Sequence, residues 1–230
     1  DSSVLLLSYT NRAVDEICSK LEEEELDYLR IGPPSSCDEA YHRRLLSERV
    51  KACSNVAEVR DIIKKARITV ATTSSLNANI NLVRLKSFSL AIIDEASQIT
   101  EPQIIGILSA TDEHGKAAIG RFVMIGDHKQ LPAVVQQTAR EAAVEQPDLR
   151  AIGLTDCRIS LFERLLRRYS SNPGVVYMLT RQGRMHADIA EFPSRAFYGG
   201  CLCPVPLPHQ TKPLPGSEDI FGRSRMMFFD

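Results

Sequence analysis

Apolar residues along the chain come in two spacings. Short unbroken runs, Val4-Leu5-Leu6-Leu7, Ile68-Thr69-Val70-Ala71, Leu90-Ala91-Ile92-Ile93 and Val175-Val176-Tyr177-Met178-Leu179, have the length of strands and lack a polar alternate face, which predicts strands buried on both sides. Arg121 to Ile125 and Tyr28 to Ile31 read as two further strands, the latter closed by Gly32-Pro33-Pro34. Between the runs, apolar positions recur every three or four residues. Ala13, Val14, Ile17, Cys18 and Leu21 mark one helix, and Tyr41, Leu45, Leu46 and Val50 a second. Val56, Val59, Ile62, Ile63 and Ala66 mark a third, and Ile159, Phe162, Leu165, Leu166 and Tyr169 a later one. Helices are also expected around Pro102 to Leu108 and from Ala187 to an interruption at Pro193. Beyond Gly199-Gly200, five prolines from Pro204 to Pro215 suggest an extended connection. Strands alternating with helices predict an α/β fold with a mostly parallel sheet and helices on both faces.

Such a sheet binds ligands beyond the carboxyl ends of its strands, and the polar residues at those ends are chemically distinctive. Asp94 and Glu95 follow the Leu90 to Ile93 run. One carboxylate can hold Mg²⁺, a hard cation that takes a few oxygens plus substrate phosphates. The other can orient or deprotonate an attacking water, worth roughly 10²–10⁴-fold. An exposed acidic turn explains the pair equally well. Thr10 and Asn11 end the first strand and open a helix, a place suited to phosphates or simply to capping. Thr72 and Thr73 end the Ile68 run with hydroxyls able to bond a nucleic-acid backbone without reading bases. Gly126 permits a tight turn that would bring Asp127 and Gln130 to the same edge.

Composition narrows this modestly. The 230 residues carry 28 basic and 29 acidic side chains, so there is no bulk charge signal for nucleic acid or membrane, and binding to either needs a local patch. Six scattered cysteines form no disulfide framework, which fits a reducing compartment, the cytoplasm or a nucleus. Cys201-x-Cys203 with His209 offers three metal ligands without a fourth. No apolar run approaches the ~20 residues of a membrane span, and no signal peptide is present. The chain starts at Asp1 directly before a strand, as a segment of a longer protein would.

In order, LLLSYTNRAVDEI, ITVATTSSL, LAIIDEASQ, VMIGDHKQLP and RQGRMHADIAEFPSRAFY resemble motifs Ia, Ic, II, III and IV of superfamily 1 helicases. The closest likeness is to the 5′-to-3′ branch that contains the RNA helicase of nonsense-mediated decay and its bacterial relatives. It covers most of residues 4 to 200, and GDHKQLP followed by QGRMH is its most specific part. The resemblance implies a RecA-like P-loop NTPase fold and a monomeric motor that hydrolyses ATP with Mg²⁺ to step along single-stranded DNA or RNA, with no membrane partner. It assigns Mg²⁺ to Asp94, water activation to Glu95, γ-phosphate sensing to Gln130 and a charge-neutralising role to Arg184. Gly126 and Asp127 would border the nucleotide, and Thr10, Asn11, Thr72 and Thr73 would meet the nucleic-acid backbone.

Two departures stand out. Gly183 occupies the place of a family tyrosine that stacks on adenine. A G-x-x-x-x-G-K-[ST] phosphate loop is missing, since Gly115-Lys116 is the sole Gly-Lys pair. That loop is expected just ahead of Asp1, in a βαβ unit of ~30 residues. Residues 1–180 then form most of a first RecA-like domain with a helical insertion near 36–66, and 181–230 open a second. The segment alone is expected to be inactive. The competing readings are a non-catalytic nucleic-acid-binding or scaffold module, and a nucleotide switch that hydrolyses ATP without travelling.

Overall fold

The computed structural model describes residues 2–211. They fall into two compact units, the first ending at Arg168 and the second beginning at Tyr169.

The first unit is a five-stranded parallel sheet of β1 (Val4–Ser8), β2 (Leu29–Ile31), β3 (Ile68–Thr72), β4 (Leu90–Ile93) and β5 (Phe122–Met124), in the order β2-β3-β1-β4-β5. Register follows from the buried runs, with Leu7 beside Ala71 on one side and Ile93 on the other, and Ile93 beside Met124. Because side chains alternate along a strand, Leu5, Leu7, Ala71, Ala91 and Ile93 enter one core while Leu6, Ile68 and Val70 enter another. The first core is completed by Ile63, Leu76, Ile104, Ile107 and Leu161, each from a different turn of the helices over that face. Val14, Cys18 and Leu21 of the Asn11–Glu23 helix cover the opposite face. This is the RecA-like α/β arrangement, and each fully buried Leu or Ile in it contributes about 1.5–3 kcal/mol. Cover thins toward β5, where Phe122 and Val123 are 44% and 48% exposed.

Polar contacts lock the periphery. Arg164 makes a two-pronged bond to Glu101 at 2.7 and 2.6 Å, both side chains nearly buried, joining the Leu161–Tyr169 and Glu101–Leu108 helices. In the 36–66 region, Arg44 bonds Glu22 and Asp27 and lies 5.0 Å over the Tyr28 ring. The helix expected over Tyr41 to Val50 is broken there. Leu45 is extended, fully buried and bridged to Arg30, so 3₁₀ turns flank a single α-turn, Leu46–Arg49. Burial of one leucine against a strand outweighs helical spacing.

The second unit pairs two short parallel strands, β6 (Arg181–Gln182) and β7 (Cys203–Pro204), beside the Ala187–Phe197 helix and a short Pro208–Thr211 turn of helix. Two expectations fail here, and a third fails in part. Val175 to Leu179 forms no strand; Val175, Tyr177 and Leu179 are 62%, 85% and 74% exposed, and no described strand pairs with them. An apolar run becomes a strand only beside a ladder partner; here the Val175 and Val176 amides instead donate to the Asn172 carbonyl, each at 3.0 Å. The Ala187–Phe197 helix is not interrupted but passes through Pro193, capped at its start by His186 Nδ1 accepting from the Asp188 amide. The proline-rich stretch folds into a turn of helix at Pro208–Thr211, and its Pro213 and Pro215 lie outside the described residues. Among the described residues no helix is long and apolar enough to cross a membrane.

Candidate active site

Parallel pairing puts the carboxyl ends of β1, β3, β4 and β5 along one edge, and the polar clusters of the sequence stand on it. The ladder runs into the acidic turn, as the Asp94 amide donates to the Leu7 carbonyl at 2.8 Å. Both carboxylates are half-buried. Glu95 is left-handed, with φ 51° and ψ 34°. For a residue with a side chain that conformation costs of order 1–2 kcal/mol and persists only where the surroundings enforce it. The surroundings are visible: the Ala96 amide donates to the Ile125 carbonyl at 2.8 Å, and Gln98 Nε2 donates to Glu95 Oε2 at 3.0 Å.

The turn after β5 is packed backbone to backbone on this one. A Cβ built on Gly126 would stand 2.8 Å from the Ser97 amide nitrogen, so no other residue fits without movement. The Asp127 amide donates to the Ser97 hydroxyl at 3.2 Å. Asp127 in turn accepts from the Lys129 amide and from Gln130 Nε2, each at 2.9 Å, which ties Gln130 to the floor of its own turn. The Ser97 contact therefore joins the turn that carries Asp94 and Glu95 to the turn that carries Gly126, Asp127 and Gln130. Ser97 and Gln98 were not singled out from sequence, although both lie in the run that follows Glu95.

The hydroxyl residues divide. Thr10 caps the first helix, accepting from the Ala13 amide at 3.2 Å, and both Thr10 and Asn11 are exposed. Thr72 is buried and turned inward, accepting from the Ser75 amide at 3.0 Å and donating to its hydroxyl at 2.9 Å. Thr73 is 1% exposed, so its side chain has no free surface in this conformation. A single small hydroxyl at a strand end serves capping as readily as ligand contact, and sequence does not separate the two.

In the second unit, Arg184 sits in the turn after β6 with an exposed side chain. Gln182 folds over that turn. Its Oε1 accepts from the Arg184 and Met185 amides at 3.0 and 2.8 Å, and its Nε2 donates to the Met185 carbonyl at 2.8 Å. Gly183 carries no stacking group, and a Cβ there would stand 3.2 Å from Leu207 Cδ1. Cys201 and Cys203 are free thiols, and no group of three or more potential metal ligands occurs among the described residues.

The donor set fits a magnesium nucleotide. Two adjacent half-buried carboxylates at an open sheet edge match an ion that keeps several waters and takes the rest of its shell from phosphates.

Comparison with known proteins agrees with the geometry. Two models described as AAA domain match, over residues 43–138 and 157–230. The chain is similar to the DNA replication ATP-dependent helicase/nuclease of Arabidopsis thaliana, 37% identical over 88% of this chain and 13% of the relative. It is similar to the Homo sapiens protein of the same description, 35% identical over 87% of this chain and 17% of the relative. The Saccharomyces cerevisiae counterpart is 33% identical over 86% and 11%. The chain thus spans under a fifth of the length of these relatives.

Proposed function

We infer, for a chain that belongs with the superfamily 1 helicases, that it is part of an ATP-driven motor that travels along single-stranded DNA. The observation that carries this reading is the strained Glu95 at the end of β4, packed through Ser97 against the Gly126 to Gln130 turn. Left-handed strain of this kind clusters at active sites, where it aims a side chain.

In this reading Asp94 would hold the Mg²⁺ of MgATP, whose charge would offset that of the phosphates. Glu95 accepts the proton of the attacking water as its oxygen bonds to the γ-phosphorus and ADP departs. Gln98 keeps that carboxylate aimed. Gln130, bordered by Gly126 and Asp127, orients the γ-phosphate, and Arg184 offsets charge in the transition state, a contribution of about 10³–10⁵-fold for an arginine of this kind. Thr10 and Asn11 touch the phosphate backbone of the track, as suits a motor that ignores sequence. Thr72 and Thr73 contribute there only if the turn they brace opens.

The relatives are named for DNA replication, which supports DNA over RNA as the track. The motor acts as a monomer in this proposal. The 230 residues contain no G-x-x-x-x-G-K-[ST] loop, so the chain by itself is proposed to hydrolyse no ATP.

The test is ATP hydrolysis and strand displacement by the full-length protein on DNA and RNA substrates with 5′ or 3′ overhangs. Hydrolysis stimulated by single-stranded DNA, abolished by Glu95→Gln and coupled to displacement from one end, is expected. Hydrolysis unaffected by Glu95→Gln would overturn the assignment, and stimulation without movement would leave a switch in place of a motor.

A further inference from the structure

The geometry points to Gln210 as the residue that positions Arg184, an inference that rests on the role proposed for Arg184 above. Gln210 lies within the proline-rich tail of the second unit, yet it is 3% exposed and both ends of its amide are used. Its Nε2 donates to the carbonyls of Gln182 and Met185 at 3.1 and 2.8 Å, and its Oε1 accepts from the Leu207 amide at 3.2 Å. The two carbonyls it grips are the residues on either side of Gly183-Arg184. The Met185 carbonyl is also held by Gln182 Nε2, so two glutamine amides converge on one oxygen. Next to it, exposed His209 places Nε2 2.7 Å from the Gly183 carbonyl, where the Nε2–H tautomer donates. Every backbone carbonyl from Gln182 to Met185 except that of Arg184 is thereby clamped by a side chain.

That pattern has a purpose beyond burial. The Arg184 side chain is exposed and makes no hydrogen bond or ion pair among the described residues, so nothing but its backbone determines where the guanidinium can reach. An arginine that stabilises a transition state loses about 10²-fold when misplaced by roughly 1 Å. A turn with two-residue strands on one side and solvent on the other has little apolar packing to hold it. Hydrogen bonds from residues 209 and 210 supply the restraint, ordering the turn before ATP arrives.

The experiment is DNA-stimulated ATP hydrolysis by the full-length protein, with nucleotide affinity measured separately using a fluorescent ATP analogue. Gln210→Met keeps the volume and removes both donations. The expected result is a fall in kcat of about 10²-fold with affinity changed little. In the Arg184→Ala background the same substitution should have almost no further effect, because residues that act as a unit are not additive. His209→Ala, at an exposed position, gives a smaller fall that also disappears in that background, and it carries the test if Gln210→Met lowers the melting temperature. Normal kcat in both variants, or equal losses with and without Arg184, would overturn the inference alone. An Arg184→Ala protein with unchanged kcat would overturn the role of Arg184 and this inference with it.

Discussion

The acidic turn after β4 and the arginine turn after β6 both present charge from a tight loop, but they are held by different forces. Asp94 and Glu95 end a strand flanked on both sides by ladder partners, with Leu7 and Ile93 fully buried beneath them. Arg184 follows a two-residue strand and is fixed by the amides of Gln182 and Gln210. Burial of several apolar side chains is worth many kcal/mol and changes only when the core does. A hydrogen bond nets about 1 kcal/mol and can be exchanged for water. The carboxylates are thus part of the permanent frame, and the arginine belongs to a lightly restrained turn whose geometry single side chains can tune.

The contrast can be broken most forcefully at Glu95. Glu95→Gln should reduce ATP hydrolysis by the full-length protein about 10²–10⁴-fold while the melting temperature stays put, since the strand beneath it is untouched. A large loss of stability would mean the carboxylate, and not the core, holds the turn.

The next effect tests the frame itself. Glu101→Leu removes the carboxylate that the nearly buried Arg164 guanidinium meets, which should cost about 3–5 kcal/mol in denaturant unfolding. A cost under about 1 kcal/mol, the level of a surface pair, would show that the pair is solvated.

Lys86 gives a smaller effect of opposite sign. It is buried, its ammonium has no hydrogen-bond partner among the described residues, and it lies 5.4 Å from the Phe88 ring centre. Burial pushes its pKa from 10.5 down to about 8. Lys86→Met should therefore stabilise the protein at pH 7 by about 1–3 kcal/mol. Between about pH 8 and 10.5 the unfolded chain keeps a proton that the folded one has released, so the stability of the parent rises with pH and the gap to Lys86→Met closes. A gap that stays constant across that range would refute the buried-charge account.

Glu22 is the mildest. Bonds from Arg44, and then Arg43, hold its carboxyl at about 2, below the ordinary 4.5. The stabilisation is complete above pH 4.5 and is lost as pH falls toward 2. Glu22→Gln should cost no more than about 1 kcal/mol at pH 7, with parent and variant converging in acid melts.

Much of the first unit is legible in the linear order of residues. The runs beginning at Val4, Ile68 and Leu90 became strands of one parallel sheet because each is apolar enough to be buried on both faces, while Arg121 to Ile125 supplied the more exposed β5 at its edge. The polar residues following them had to gather at one edge once the strands ran parallel. The errors share a cause. Val175 to Leu179 looks like a strand, but a strand exists only with a neighbour, and none pairs with it among the described residues. Tyr41 to Val50 has helical spacing, but Leu45 is drawn into an extended bridge with Arg30. Gln98 and Gln182 were legible only as letters of a motif and Gln210 not at all, because a glutamine amide reveals its role only through the atoms it meets.

What the sequence determined by itself was local and periodic: which runs are buried, which turns need glycine, and which charged groups stand at strand ends. Tertiary structure alone decided that the Gly126 turn lies against Ser97, that Glu95 is forced left-handed, and that a glutamine from a proline-rich tail grips the arginine turn. Periodicity is a property of neighbours in the chain, whereas a clash or a hydrogen bond between distant residues depends on distances that exist only after the chain has packed.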